Sequence, residues 1–247
     1  PVPASVPMPA RPTGPRPGMG LAAAASGYHH LGASTVGDWS GVLGRVTVGD
    51  PAVRRGTFDF VATRFMAKRH VGQRVFWLEA GWAETGWSGE GRQRIYTFDT
   101  NRNAWTFYDQ YELRPGDDIW FYLHTDAGPG GGAGAPTVWQ AWLWWRGGWH
   151  LLSAQELPLG ARTQLEQFVE VYVDPRHGGP GFAVPPVRVD NVQVKGDPRG
   201  ELRYWTGDVH SGVGHGRGRY CVQWEQPYDT WSAGDCPAAR PGTGHRR

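Results

Sequence analysis

Two glutamates sit in the middle of alternating, aromatic-rich runs, and together they offer the chemistry of a carboxyl pair. Glu79 lies in Arg74-Val-Phe-Trp-Leu-Glu-Ala-Gly-Trp82, and Glu166 in Gln164-Leu-Glu-Gln-Phe-Val-Glu-Val-Tyr-Val173. Successive side chains of a strand point to opposite faces. Glu79 therefore shares a face with Val75 and Trp77, and Glu166 shares one with Phe168 and Glu170. A carboxylate among bulky apolar neighbours lies in a wet groove or in a place that perturbs its titration. If both faces belong to one concave surface, the pair can do general acid–base work. Otherwise each is a strand glutamate that faces solvent or pairs with an arginine.

Other constellations carry less. Trp142, Trp144, Trp145 and Trp149 form an aromatic stripe that could line a platform for sugar or peptide, although strand alternation sends Trp144 and Trp145 to opposite faces. Trp77 and Trp82 flank Glu79 and are candidate binding residues. His210-Ser-Gly-Val-Gly-His215 and His29-His30 lack a third ligand at metal-binding spacing and read as polar loops, so no metal and no cofactor is expected. The Gly-rich run 127–135 lacks the Lys and helix start of a phosphate loop. No nucleophile elbow is present, nor a free Cys with a partner His.

The elements that must position these residues are strands. Trp, Tyr and Phe number 14, 9 and 9, and 37 Gly with 20 Pro supply turns. Alternating runs punctuated by turn sequences predict strands at 39–48, 57–68, 74–84, 93–99, 104–110, 118–125, 138–145, 149–156, 167–173 and 187–195. Weaker strands are expected at 202–206 and 219–225. Short helices have two poor candidates, 18–26 and 160–167. The fold class is all-β, a two-sheet antiparallel sandwich of the jelly-roll or concanavalin-like kind.

Net charge is +2, and the basic residues are scattered without a run or recognition helix, which argues against nucleic acid. No apolar run reaches transmembrane length. Cys221 and Cys236 bracket a turn-rich segment. Paired, they close a loop of about 15 residues, worth roughly 3 kcal/mol. That pairing is the favoured reading over two free thiols, and with it an oxidising, secreted location. Seven prolines in the first 17 residues bias residues 1–36 toward an extended arm, either a disordered leader or a segment that packs on its own domain or on another copy. A sandwich core then spans 37–198, and 199–247 is a C-terminal extension with the disulfide loop.

Ordered landmarks give a resemblance. Asp38-Trp-Ser-Gly-Val42, Leu113-Arg-Pro-Gly-Asp-Asp-Ile119, Leu165-Glu-Gln-Phe-Val-Glu170 and the segment 182–194 resemble successive segments of the glutamic peptidases (eqolisins), acid endopeptidases on a concanavalin-like sandwich. The resemblance covers roughly residues 37 to 195. It implies a dyad in which a Glu, falling on Glu166, is general base toward a water. A Gln that holds the oxyanion falls near Glu79. Here the chain departs, since a carboxylate donates a hydrogen bond only when protonated. The departure and the arm lead to the expectation of a divergent, secreted binding or assembly module. Its partners would be an extracellular protein, a polysaccharide, or other copies held through residues 1–36. An acid hydrolase using Glu79 and Glu166 is the alternative, and a glycosidase, which also uses paired carboxylates, the third.

Overall fold

The computed structural model of the chain describes residues 4–7, 26–128, 132–177, 179–216 and 218–237. Among these no α-helix occurs, and so none long and apolar enough to cross a membrane. The strands, in chain order, are β1 (Ala4–Pro7), β2 (Gly27–Thr35), β3 (Gly41–Thr47), β4 (Phe60–Val71), β5 (Arg74–Thr85), β6 (Arg94–Asp99), β7 (Ala104–Phe107) and β8 (Asp118–His124). They continue with β9 (Thr137–Trp145), β10 (Gly148–Leu157), β11 (Gln164–Val173), β12 (Val187–Lys195), β13 (Leu202–Tyr204), β14 (Ser211–Gly214), β15 (Tyr220–Gln226) and β16 (Thr230–Asp235). All pairings are antiparallel, and the strands form two sheets. The first runs β1-β7-β6-β5-β4-β11-β2-β14, and the second β10-β9-β8-β3-β12-β16-β15 with β13 beside β12.

The core lies between the sheets because alternation leaves one apolar face on each strand. Val61, Phe65 and Ala67 of β4, Leu78, Ala80 and Trp82 of β5, and Leu165, Val169 and Val171 of β11 point inward. They meet Phe121, Leu123, Trp139, Leu143, Val189 and Val194 of the second sheet. Inside, Trp231 Nε1 donates to Gln167 Oε1 at 2.7 Å, and Gln167 Nε2 donates to Tyr228 O at 2.8 Å, which satisfies the polar groups of a buried inter-sheet link.

The strands expected from alternation are all present, and the sandwich is as expected. Three parts of the reading need correction. Residues 27–35, assigned to the arm, are β2, an interior strand between β11 and β14 that sends Leu31 and Ala33 into the core. Of the remaining arm, β1 pairs with β7 at the sheet edge, and residues 8–25 lie outside the described residues, together with most of the helix considered at 18–26. Residues 160–167 are not helical, because Thr163 bridges to Trp39 and β11 begins at Gln164.

The C-terminal segment is no appendage. β14 pairs with β2 of the first sheet, β16 with β12 of the second, and Trp205, Val209, Tyr220 and Trp231 are core residues. What was read as a loop between the cysteines is a hairpin, β15–β16, and Cys221 and Cys236 are joined by a disulfide across it.

Candidate functional site

Register brings the two glutamates together. Met66 of β4 is paired on one side with Glu79 of β5 and on the other with Glu166 of β11. All three side chains project from the outer face of the first sheet, away from the core. The two glutamates thus stand two strand spacings apart, about 10 Å between backbones. Their side chains lean toward Arg64, the next residue of β4 on that face, which is itself paired with Phe168.

The arginine ties the site together. Arg64 Nη1 lies 2.6 Å from Glu170 Oε2 and 3.4 Å from Glu79 Oε2, while Nη2 lies 3.2 Å from Glu166 Oε2. One guanidinium therefore reaches three carboxyl groups. Lys68, one face position along β4, is hydrogen-bonded through Nζ to the other oxygen of Glu166. His30 Nε2 is 3.2 Å from Glu170 Oε1, and the Tyr96 hydroxyl is 3.4 Å from Glu79 Oε1. Glu79, Glu166 and Glu170 are only 4, 4 and 5 % exposed, so the three carboxyl groups are held out of bulk water.

Burial decides the protonation of Glu79. It pushes this carboxyl up to about 7; Arg64 pulls the other way, and the charges of Glu170 and Glu166 add to the rise. Burial likewise drives the Tyr96 phenol well above its ordinary value, aided by Glu79. For Arg64 burial opposes the charge, but Glu170, Glu79 and Glu166 outweigh it and hold the guanidinium firmly charged. The site thus contains a carboxyl that is neutral in acid, able to donate a hydrogen bond, beside a permanently cationic centre.

Above this floor opens a small cavity of about 230 Å³, lined by His30, Lys68, His70, Trp77, Glu166 and Phe168 among others. Its walls are aromatic: Trp77 stacks on Phe98 at 5.2 Å between ring centres, and Arg64 lies 5.5 Å from the Phe168 ring. Toward β7 the same face is a second apolar cluster built on Phe60, Tyr96, Trp105, Phe107 and Tyr172. One close approach fixes the geometry. A Cβ added at Gly81 would stand 1.8 Å from the Thr63 carbonyl oxygen, so only glycine lets β5 pass β4 there, two residues after Glu79.

Of the residues expected at the site, Glu79, Glu166, Glu170 and Trp77 meet. Trp82 does not: it is an odd number of residues from Glu79 and is fully buried in the core, its Nε1 donating to Thr47 O. Trp142 and Trp144 lie on the outward face of the second sheet, on the other side of the core. His29 and His30 belong to β2 rather than a loop; His29 packs edge-on against Tyr220. Missed altogether were Arg64, Lys68 and Tyr96, which share the face by alternation but whose convergence depends on register. Missed too was Glu84, also pushed up to about 7 by burial, whose Oε2 accepts from Gln93 Nε2 at 2.6 Å.

No family model matches the chain, and no curated protein matches it. Solved structures do. Scytalido-glutamic peptidase bound to a transition-state analogue inhibitor is 15 % identical, with a TM-score of 0.58 over 84 % of this chain and 98 % of that one. The fold is that of the glutamic peptidases. A second structure of the scytalido enzyme, with a peptide-based transition-state analogue, aligns at TM-score 0.57 and 16 % identity. SCP-B, a member of the eqolisin family solved with the tripeptide Ala-Ile-His, aligns at TM-score 0.54 and 15 % identity over 85 % of this chain. Over about 85 % of its length this chain carries the glutamic peptidase fold, with a salt-linked cluster on the outer face of its first sheet.

Proposed function

We propose that this protein is a secreted binding module on the glutamic peptidase fold, whose outer-face groove holds an extracellular ligand without cleaving it. The observation that carries this reading is that both carboxyl oxygens of Glu166 are engaged by cations, Arg64 on one and Lys68 on the other. A general base needs a lone pair directed at a water and a proton affinity near the working pH. Here both oxygens are already turned to cationic partners rather than to a water. The disulfide supports an oxidising location. Pairing of β1 with an otherwise open edge at β7 supports the idea that the N-terminal segment serves strand addition, within one chain or between copies.

One observation favours a second reading, acid hydrolysis. Glu79 is held neutral below about pH 7, so it can donate to an oxyanion as an amide would. The experiment is a digest of unfolded protein across roughly pH 2 to 5, where Glu79 holds its proton. The binding reading expects intact substrate throughout. Cleavage that disappears in Glu166→Gln would replace it with the hydrolase.

A further inference from the structure

The face of the second sheet that looks away from the core carries a row of aromatic side chains that the groove does not use. Cross-strand register places Trp149 opposite Trp144, Trp144 opposite Trp120, and Trp142 opposite Tyr122. Alternation sends all of these outward, since Trp139, Ala141, Leu143, Phe121 and Leu123 take the core positions between them. Trp144 and Trp149 remain 39 and 42 % exposed. Large rings left in water in a contiguous group mark a binding surface more often than a lone exposed residue does. Beside them, between Trp144, Trp145 and Arg146 on one wall and Glu112, Arg114 and Asp117 on the other, lies a cleft of about 430 Å³.

We infer that this face is a second binding site, and that its ligand is a single chain of an uncharged polysaccharide. Three features select that chemistry. Sugar rings present apolar C–H faces that stack on indole and phenol rings, and hydroxyl edges that need paired donors and acceptors. The rings here suit those faces, and Gln140 with the carboxylates and the two guanidinium groups of the cleft suits the edges.

The second feature is charge. Arg45 is paired with Asp190 at 2.7 Å and Lys195 with Asp126 at 3.4 Å, and Arg114 and Arg146 share the cleft with Glu112, Asp117 and Asp118. The face therefore offers no net field for a polyanion, whether acidic glycan or nucleic acid, and is complementary to a neutral chain. The ion pairs also make it unlike the charge-depleted core of a stable dimer interface.

The third feature is ring geometry. Trp144 and Trp149 meet at 70° and Tyr122 and Trp149 at 56°, so the row is not a flat platform. Tilted rings follow a twisted single chain rather than the planar surface of a crystalline polymer.

The test uses the full chain in native affinity gels containing soluble β-glucan, xylan or galactomannan, with polygalacturonate, single-stranded DNA and crystalline cellulose as the contrasting ligands. Retarded migration in at least one neutral gel is expected. Trp144→Ala with Trp149→Ala should weaken it at least tenfold, while Trp149→Tyr keeps a measurable part. Both tryptophans are exposed, and an unchanged melting temperature for the double variant separates lost binding from lost folding. No retardation by any neutral glycan, or retardation that survives the double variant, would overturn the proposal. So would preference for the polyanions or cellulose, or a concentration-dependent dimer abolished by the same double variant.

Discussion

Arg64 and Glu170 share a 2.6 Å contact on the outer face of the first sheet, although 106 residues separate them in the chain. The contact exists because β4 and β11 pair so that Phe168 is opposite Arg64 and Ala62 opposite Glu170, which sets the long arginine diagonally across to the glutamate. The same guanidinium then reaches Glu166 and Glu79. Its position makes three acidic residues tolerable on a face that excludes water.

Removing it should be costly. Arg64→Met removes the one cation shared by three buried carboxyl groups and leaves only Lys68 on Glu166, a loss of about 3–5 kcal/mol at neutral pH. Glu170→Gln placed on top of Arg64→Met should recover part of it, because a like charge is deleted from the same spot. Urea unfolding of the two variants against the parent measures both effects. A loss under about 1 kcal/mol for Arg64→Met would mean the cluster is wet.

Stability should fall as the pH rises from acid to neutral. The folded-state pKa of Glu79 is raised, from 4.5 to about 7, so below 4.5 folded and unfolded chains hold the proton alike and the contribution is fully present. Between these values the unfolded chain ionises while the folded one does not, and the contribution is lost, on the order of 3 kcal/mol at most. Glu84 has the same sign. Glu79→Gln, which installs the amide that resemblance to the glutamic peptidases leads one to expect there, should flatten this dependence. Melting temperatures at pH 4.5 and 7.5 check it, and an unchanged slope in Glu79→Gln would refute the assignment.

Gly81→Ala should be among the most damaging single-methyl changes in the chain. The added carbon meets backbone rather than a movable side chain, so β4 and β5 must separate beside Glu79. A cost of about 1–3 kcal/mol or more is expected. Chemical denaturation measures it, and Glu79 can be followed separately through the pH dependence just described.

Most of the architecture was readable because alternation is local. Each strand's apolar parity told which residues faced inward, and it joined Glu79 to Trp77 and Glu166 to Glu170 correctly. Applied consistently, the same parity removes Trp82 from the site. Parity is silent about pairing register, which is why Arg64 and Lys68 went unseen as partners of Glu166, though both stand on the same strand and face. β2 was hidden because Tyr28-His-His-Leu-Gly-Ala-Ser-Thr35 is short of bulky apolar residues and follows a proline-rich run. The glycines of Ser211–Gly214 concealed β14 in the same way. Its role is to lie against β2, and an edge strand needs little side chain of its own.

Because β14 finishes one sheet and β16 with β15 finishes the other, both layers are complete only with residues 211–235. A chain halted before residue 211 would leave one edge of β2, and the part of β12 that pairs with β16, open on the two layers. Shortened forms ending before that segment are therefore expected to clump rather than persist as smaller working versions.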